Sequence, residues 1–133
     1  MIRMLLAVAL ATVLTGCETQ PVRDLQASVK DIFQPSKGQE TLKSGLRQYE
    51  EGKYGEAAKN LHSALELGLS EREQVDAHKH LAFMHCASGR EPQCRAEFAK
   101  ALAINPALEL SPAEAGHPVW GRIFRSVKAG RQA

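Results

Sequence analysis

The chain has 133 residues, which suits one domain with tails. Aromatic residues make up only 5% of it, so the core must be mostly aliphatic, which favours closely packed helices over a β-sandwich or barrel. Seventeen basic and fifteen acidic residues give a formal net charge of +2. So balanced a chain has no general electrostatic attraction for nucleic acid, and none is expected among its partners.

Residues 1–16 have the features of an export signal. A short basic start that includes Arg3 precedes an almost unbroken apolar run from Met4 to Leu14, which is too short to cross a bilayer as a stable helix. The run ends in the tetrad Leu14-Thr15-Gly16-Cys17. An ordinary secretory signal followed by a chance cysteine is the alternative interpretation of these residues.

The tetrad and its position resemble the lipobox of bacterial lipoproteins. The resemblance implies cleavage before Cys17 and fatty acylation (palmitate) at that residue, which together hold a protein stably on a membrane. Asp in the next position retains Gram-negative lipoproteins in the inner membrane, whereas this chain has Glu18. In an organism with two membranes, the resemblance therefore implies a lipid anchor in the outer membrane, on its periplasmic side.

Residues 17–38 are expected to form a lipidated tether, because Pro21, Pro35 and Gly38 interrupt regular structure. Apolar residues at helical spacing nevertheless predict a short helix over 22–33. These residues are Val22, Leu25, Val29, Ile32 and Phe33. We expect this helix to pack on the first helix of the domain. Contact with the membrane or with a partner is the alternative, although its balanced charges lack the basic face of a membrane-surface helix.

Residues 39–133 contain one pattern twice between Leu42 and Pro106. A glycine, Gly52 or Gly89, follows each helical segment, and small and large apolar residues align around it at an offset of 37 residues. The aligned pairs are Gly45/Ala82, Ala57/Cys94, Ala64/Ala101, Leu61/Phe98 and Leu65/Leu102. Each copy thus predicts two amphipathic helices joined at a glycine turn.

This pattern resembles the tetratricopeptide (TPR) repeat, whose period is about 34 residues. The resemblance implies an all-α fold with two helical hairpin pairs. Flanking N-terminal and C-terminal helices are expected to cap them, because the end faces of a short repeat array need cover.

Caps and breakers set the expected helix boundaries. Ser70 and Glu73 form a capping box, Pro92 suits a first turn, and Ser111 begins a short turn that Gly116 breaks. The predicted helices span 40–51, 55–67, 71–87 and from about Pro92 to Ile104, and a last helix begins at Pro118.

The last helix has one apolar and one basic face. The apolar face holds Val119, Trp120, Ile123, Phe124 and Val127, and the basic face holds Arg122, Arg125 and Lys128. We expect the apolar face to cap the repeats. The alternative is that Trp120 and Phe124 form an exposed anchor for a partner.

Cys86 and Cys94 lie on the two sides of the second glycine corner and form a candidate disulfide. An exported protein meets an oxidising compartment, in which such pairs are oxidised. Two buried thiols that act as small apolar fillers are the alternative.

His78, His80 and His85 lie on the third predicted helix. His78 and His85 share the buried face and are expected to be hydrogen-bonded in the core, whereas His80 points elsewhere. No constellation suggests nucleophilic catalysis or a phosphate loop, so we expect a non-enzyme without cofactor or metal. The alternative is a metal- or redox-active protein that uses His78, His85, Cys86 and Cys94.

TPR proteins bind peptides in a groove lined by the first helix of each pair. The resemblance places in that groove Leu42, Leu46, Tyr49, Asp76, Lys79, His80 and Phe83. Some members clamp a C-terminal carboxylate there with Lys and Asn, but Leu42 and Leu46 stand at the matching places of the first pair. We therefore expect a protein-binding patch without that clamp. The alternative is that the helix over 22–33 or the last helix covers this groove.

Together these expectations describe an outer-membrane lipoprotein whose TPR-like domain is a periplasmic adaptor in an envelope, secretion or pilus assembly machine. A structural envelope protein without a discrete partner is a further alternative.

Overall fold

The computed structural model describes residues 34–132, which fold into six helices without a strand. The signal over 1–16, the lipidation site Cys17 and the helix expected over 22–33 lie outside the described residues. None of the described helices combines the length and apolar character that a membrane span needs. The helices are α1 (Lys37–Glu50), α2 (Tyr54–Leu67), α3 (Glu71–Ala87), α4 (Glu91–Ile104), α5 (Pro112–Ala115) and α6 (Trp120–Gln132).

Capping boxes begin three of the helices. Ser36 accepts from the amide of Gln39 and its own amide donates to the Gln39 side chain, so α1 starts at Lys37 rather than at the expected Glu40. Ser70 with Glu73, and Ser111 with Glu114, start α3 and α5 as predicted. The Ser-x-x-Gln signal of α1 begins at Ser36, within the segment expected to form the tether.

Two antiparallel hairpins follow from glycine corners. Gly52 and Gly89 have φ values of 76° and 72°, a left-handed conformation that favours glycine. In the first hairpin a Cβ at Gly45 would lie 3.0 Å from Leu61 Cδ2, so α1 and α2 approach closely, as expected. α3 then packs on both helices of the first hairpin and pairs with α4 to form the second.

The core has two clusters, and α3 supplies residues to both. The first cluster is aliphatic and lies between the hairpins, with Leu61, Ala64 and Leu81 fully buried. The second contains three of the four phenylalanines, Phe83, Phe98 and Phe124, so the expected aliphatic core holds only for the first hairpin. Residue Tyr49 packs against both clusters.

The C-terminal helix α6 caps the second hairpin by packing on α4 and α3. Ile123 and Phe124 are 2% and 3% exposed, and Trp120 stacks on Phe83 with 4.7 Å between ring centroids. Phe124 is therefore a core residue, as the expected cap requires, and it does not form the exposed anchor that was the alternative. Val119 is exposed because it precedes α6, which starts at Trp120 rather than at Pro118.

We expect Gly121→Ala to destabilise the cap. An added Cβ at Gly121 would lie 2.2 Å from the Ala115 carbonyl oxygen, so α5 would have to move, at a cost of about 1–3 kcal/mol. Gly130→Ala, in the same helix, meets nothing within 4 Å and should be neutral or stabilising by up to about 1 kcal/mol. Urea unfolding of both variants measures the difference, and equal stabilities would refute the close packing.

Candidate functional site: a half-covered aromatic groove

The residues predicted to line the groove differ in their exposure to solvent. Leu42 and Phe83 are 6% and 2% exposed and belong to the core, so the structure places them beneath the predicted groove, and their contact with a partner stays a prediction. Periodicity placed them on the correct helices but could not tell the groove from the core beneath it. The half-buried members are Leu46, Tyr49, Asp76, Lys79 and His80.

Six rings form a continuous series along this face, which we call the aromatic row. In order it comprises Tyr54, Tyr49, His80, Phe83, Trp120 and His117, with centroid separations of 5.6, 5.0, 5.7, 4.7 and 3.3 Å. Tyr54 and His117 were not among the residues predicted to line the groove. Tyr54 follows the glycine corner that returns the chain to Tyr49, but no local signal links His117 to Trp120 across the turn.

The polar groups of His80 and Tyr49 in the aromatic row are uncharged. His80 Nδ1 donates to the Asp76 carbonyl oxygen at 2.7 Å. Burial lowers the pKa of His80, so its ring is neutral near pH 7 and Nε2 remains a hydrogen-bond acceptor. Burial, and then the neighbouring Tyr54 and Glu114, raise the pKa of the Tyr49 hydroxyl, which keeps its proton. The row thus presents apolar rings together with neutral polar groups.

The short helix α5 covers one half of the groove. Glu114 accepts from Lys79 Nζ at 2.9 Å, and both side chains are largely buried. Burial raises the pKa of Glu114, but the hydrogen bonds from Lys79 and Ser111 outweigh it and lower the pKa overall. Trp120 also donates from Nε1 to the Glu114 carbonyl. The groove is thus closed over Lys79 and Phe83. It is open at the far end of the aromatic row, where Tyr54 is 52% exposed.

A disulfide joins Cys86 and Cys94 across the second corner, with 5.2 Å between Cα atoms. Cys94 is fully buried and Cys86 is 4% exposed. Cys94 takes the position of the equally buried Ala57 in the first hairpin. The pair therefore fills a small-residue site and also connects α3 covalently to α4.

Reduction of this disulfide should lower the free energy of unfolding by about 2–3 kcal/mol. The two cysteines are eight residues apart, and without the bond the loop between them gains conformational entropy in the unfolded chain. Urea unfolding with and without reductant measures the change. The double variant Cys86→Ala/Cys94→Ala is the control and should not respond to reductant. Alkylation of both Cys86 and Cys94 in protein unfolded in urea without reductant would show that the bond does not form.

Glu97 is the one buried charged residue in the described part of the chain, at 5% exposure. It accepts from His78 Nδ1 at 2.6 Å and from Lys100 Nζ at 2.8 Å. Burial raises the pKa of Glu97, but the two hydrogen bonds and their charges outweigh burial and lower the pKa to about 2. His78 is thus hydrogen-bonded in the core, as expected.

His85 differs from the expectation, because its buried Nδ1 has no hydrogen-bond partner among the described residues. Burial lowers the pKa of His85, and the nearby Arg90 adds to that effect. Within residues 34–132, no group of three or more His, Cys, Asp or Glu side chains is arranged to hold a metal. His78 is engaged by Glu97, and the two cysteines are bonded to each other.

Glu97→Gln should destabilise the protein at pH 7 by about 2–3 kcal/mol. The pKa of Glu97 is lower in the folded state than its usual 4.5, so its contribution is present above pH 4.5 and is lost as the pH falls towards 2. The stability gap between variant and wild type should close over that window in urea titrations. Glu91→Gln removes an exposed pair with Arg95 on the same helix and should change stability by less than about 1 kcal/mol.

The chain matches no family profile, no curated protein sequence and no solved structure.

Proposed function

We propose that this protein is a non-enzymatic lipoprotein, anchored in the outer membrane, whose TPR-like domain acts as a periplasmic adaptor. Its partner would be a protein component of an envelope, secretion or pilus assembly machine. The observation that carries the proposal is the pair of similar helical hairpins, each turned at a left-handed glycine, stacked side by side and followed by a capping helix.

The described architecture supports a TPR-like assignment in three respects. The two hairpins have aligned small residues at their close approaches, such as Ala57 and Cys94, both fully buried. α1 and α3, the first helices of the pairs, are in contact and share the face that holds Tyr49 and His80. α6 covers the end of the second pair, as a short repeat array requires.

Export and anchoring rest on the sequence of residues 1–18. The lipobox-like tetrad ending at Cys17 is the basis for the lipid anchor, and Glu18 is the basis for the outer membrane. The disulfide between Cys86 and Cys94 supports an oxidising compartment, since such bonds are rare in reducing ones.

The open half of the aromatic row is the partner-binding surface in this proposal. Tyr54 is more than half exposed, and Tyr49 and His80 are partly accessible beside it. Aromatic side chains supply large contact areas at low entropic cost and are enriched at binding hot spots. Lys79 and Trp120, also predicted to bind, would become available only if α5 moved away from them.

No observation favours the alternative of a metal- or redox-active centre at His78, His85, Cys86 and Cys94. The disulfide is buried, so exchange with an external thiol is hindered. A structural protein without a discrete partner remains the competing class, and the following experiment separates it from an adaptor.

A photoreactive phenylalanine analogue replaces Tyr54 in the full chain, and the cells are irradiated intact. The control replaces Leu67, which is 45% exposed at the opposite end of the same helix. We expect a discrete adduct with one protein from position 54 and none from position 67. Absence of a discrete adduct at position 54, or the same adducts from both positions, would contradict the adaptor.

The anchor is tested separately with a labelled palmitate analogue. The wild-type chain should incorporate the label and fractionate with the outer membrane, whereas Cys17→Ser should do neither. If the wild-type chain did not incorporate the label, the lipid anchor would be refuted, whereas the crosslinking result for the groove would still stand.

A further inference from the structure

A pocket of about 260 Å³ lies between α6 and the segment that leads into α5. It is separate from the aromatic row, and the proposed adaptor function makes no use of it. Apolar residues line much of it, and two of them, Phe124 and Leu110, are buried core residues. Its charged lining residues are Glu109, Arg125 and Lys128.

Lys128 is a largely buried cation at this pocket, since its side chain is only 18% exposed. Its ammonium donates to the Leu108 carbonyl at 2.9 Å and pairs with the carboxylate of Glu109. The Glu109 side chain is 75% exposed. A buried ammonium needs an anion nearby, and here the anion is a solvent-exposed side chain that can give way to another carboxylate.

Arg125 adds a second cation, and it has no carboxylate within salt-bridge distance in the described part of the chain. One of its amines donates to the Ala115 carbonyl at 3.2 Å, which holds the side chain beside the pocket. From Ala115 onwards the sequence contains four Lys or Arg residues and no acidic residue. The electrostatic potential around α6 is therefore positive and attracts anions.

We propose that this pocket binds an aliphatic carboxylate. The carboxylate takes the place of Glu109 on Lys128 and accepts further hydrogen bonds from the planar fork of Arg125. The aliphatic group lies against Phe124, Leu110 and Ala115. Such a carboxylate has two sources, a free short-chain acid or the C terminus of a peptide that ends in an apolar residue.

The first experiment titrates the full-length, isotopically labelled chain and follows the amide signals of Gly121 and Ala129, two residues that line the pocket. Hexanoate should shift both signals saturably. Acetate, which has the charge without the aliphatic group, should bind at least about tenfold more weakly. Hexylammonium, which has the aliphatic group with the opposite charge, should produce no saturable shift. Equal responses to hexanoate and hexylammonium would overturn the proposal.

The peptide acetyl-Ala-Ala-Leu, with a free or an amidated C terminus, separates the two sources. Saturable binding of the acid form but not of the amide identifies a chain terminus as a ligand, whereas binding of hexanoate alone identifies a free acid. If neither hexanoate nor the free-acid peptide shifts the two signals at millimolar concentration, the pocket does not have the proposed function.

Three variants test the assigned roles. Arg125→Gln should weaken hexanoate binding about tenfold, because it removes a charge-assisted hydrogen bond. Glu109→Gln should tighten it severalfold, because it removes the competing anion; a misfolded protein could not produce this gain. Arg122→Gln, the matched control, removes an exposed charge from the same helix outside the pocket and should change the affinity less than about twofold. Equal effects of Arg122→Gln and Arg125→Gln, or weaker binding by Glu109→Gln, would refute the site.

Discussion

The structure depends on the burial of α3 on two sides at once. Ala77, Leu81 and Met84 pack into the aliphatic cluster of the first hairpin, and Ala82, Phe83 and Cys86 pack into the aromatic cluster of the second. Small residues at Ala77 and Ala82 let neighbouring helices come close on both sides. Because each hairpin alone would leave an apolar face in water, the shared helix makes the folding of each hairpin depend on the other.

The same helix carries the polar groups of the groove and one end of the covalent link. Asp76, Lys79 and His80 lie on its remaining face, and Cys86 fixes its last turn to α4. The part of the groove that lies on α3 is therefore preorganised, so a contact made there costs little ordering entropy. The pair between Lys79 and Glu114 and the stack of Trp120 on Phe83 extend this restraint to α5 and α6.

Local signals made the helices and both corners predictable. Gly52, Gly89 and the Ser70–Glu73 box set boundaries through contacts within a few residues, and α3 agrees with its prediction at both ends. That α5 covers half of the groove was not predictable, because Lys79 and Glu114 are 35 residues apart and no periodic pattern connects them. For the same reason, apolar spacing alone could not decide whether Phe83 lines the groove or the core, or whether Phe124 belongs to the expected cap or to the alternative anchor. The likeness of Ala57 to Cys94 did point to a tight corner, where the structure has the disulfide.

The two hairpins differ in how strongly they are restrained, and this difference bears on function. The second has the disulfide, the buried Glu97 and the covering helix α6, whereas the first relies on aliphatic packing and on exposed or half-buried amide hydrogen bonds such as Asn60 to Gln48. Local opening is easiest where such restraints are fewest, so α1 and α2 should open at lower free energy than α3 and α4. The exposed end of the aromatic row, Tyr49 and Tyr54, belongs to this weaker hairpin. A protein bound there would raise the free energy of opening of the first hairpin, which is the lower of the two. The second hairpin would remain rigid during binding.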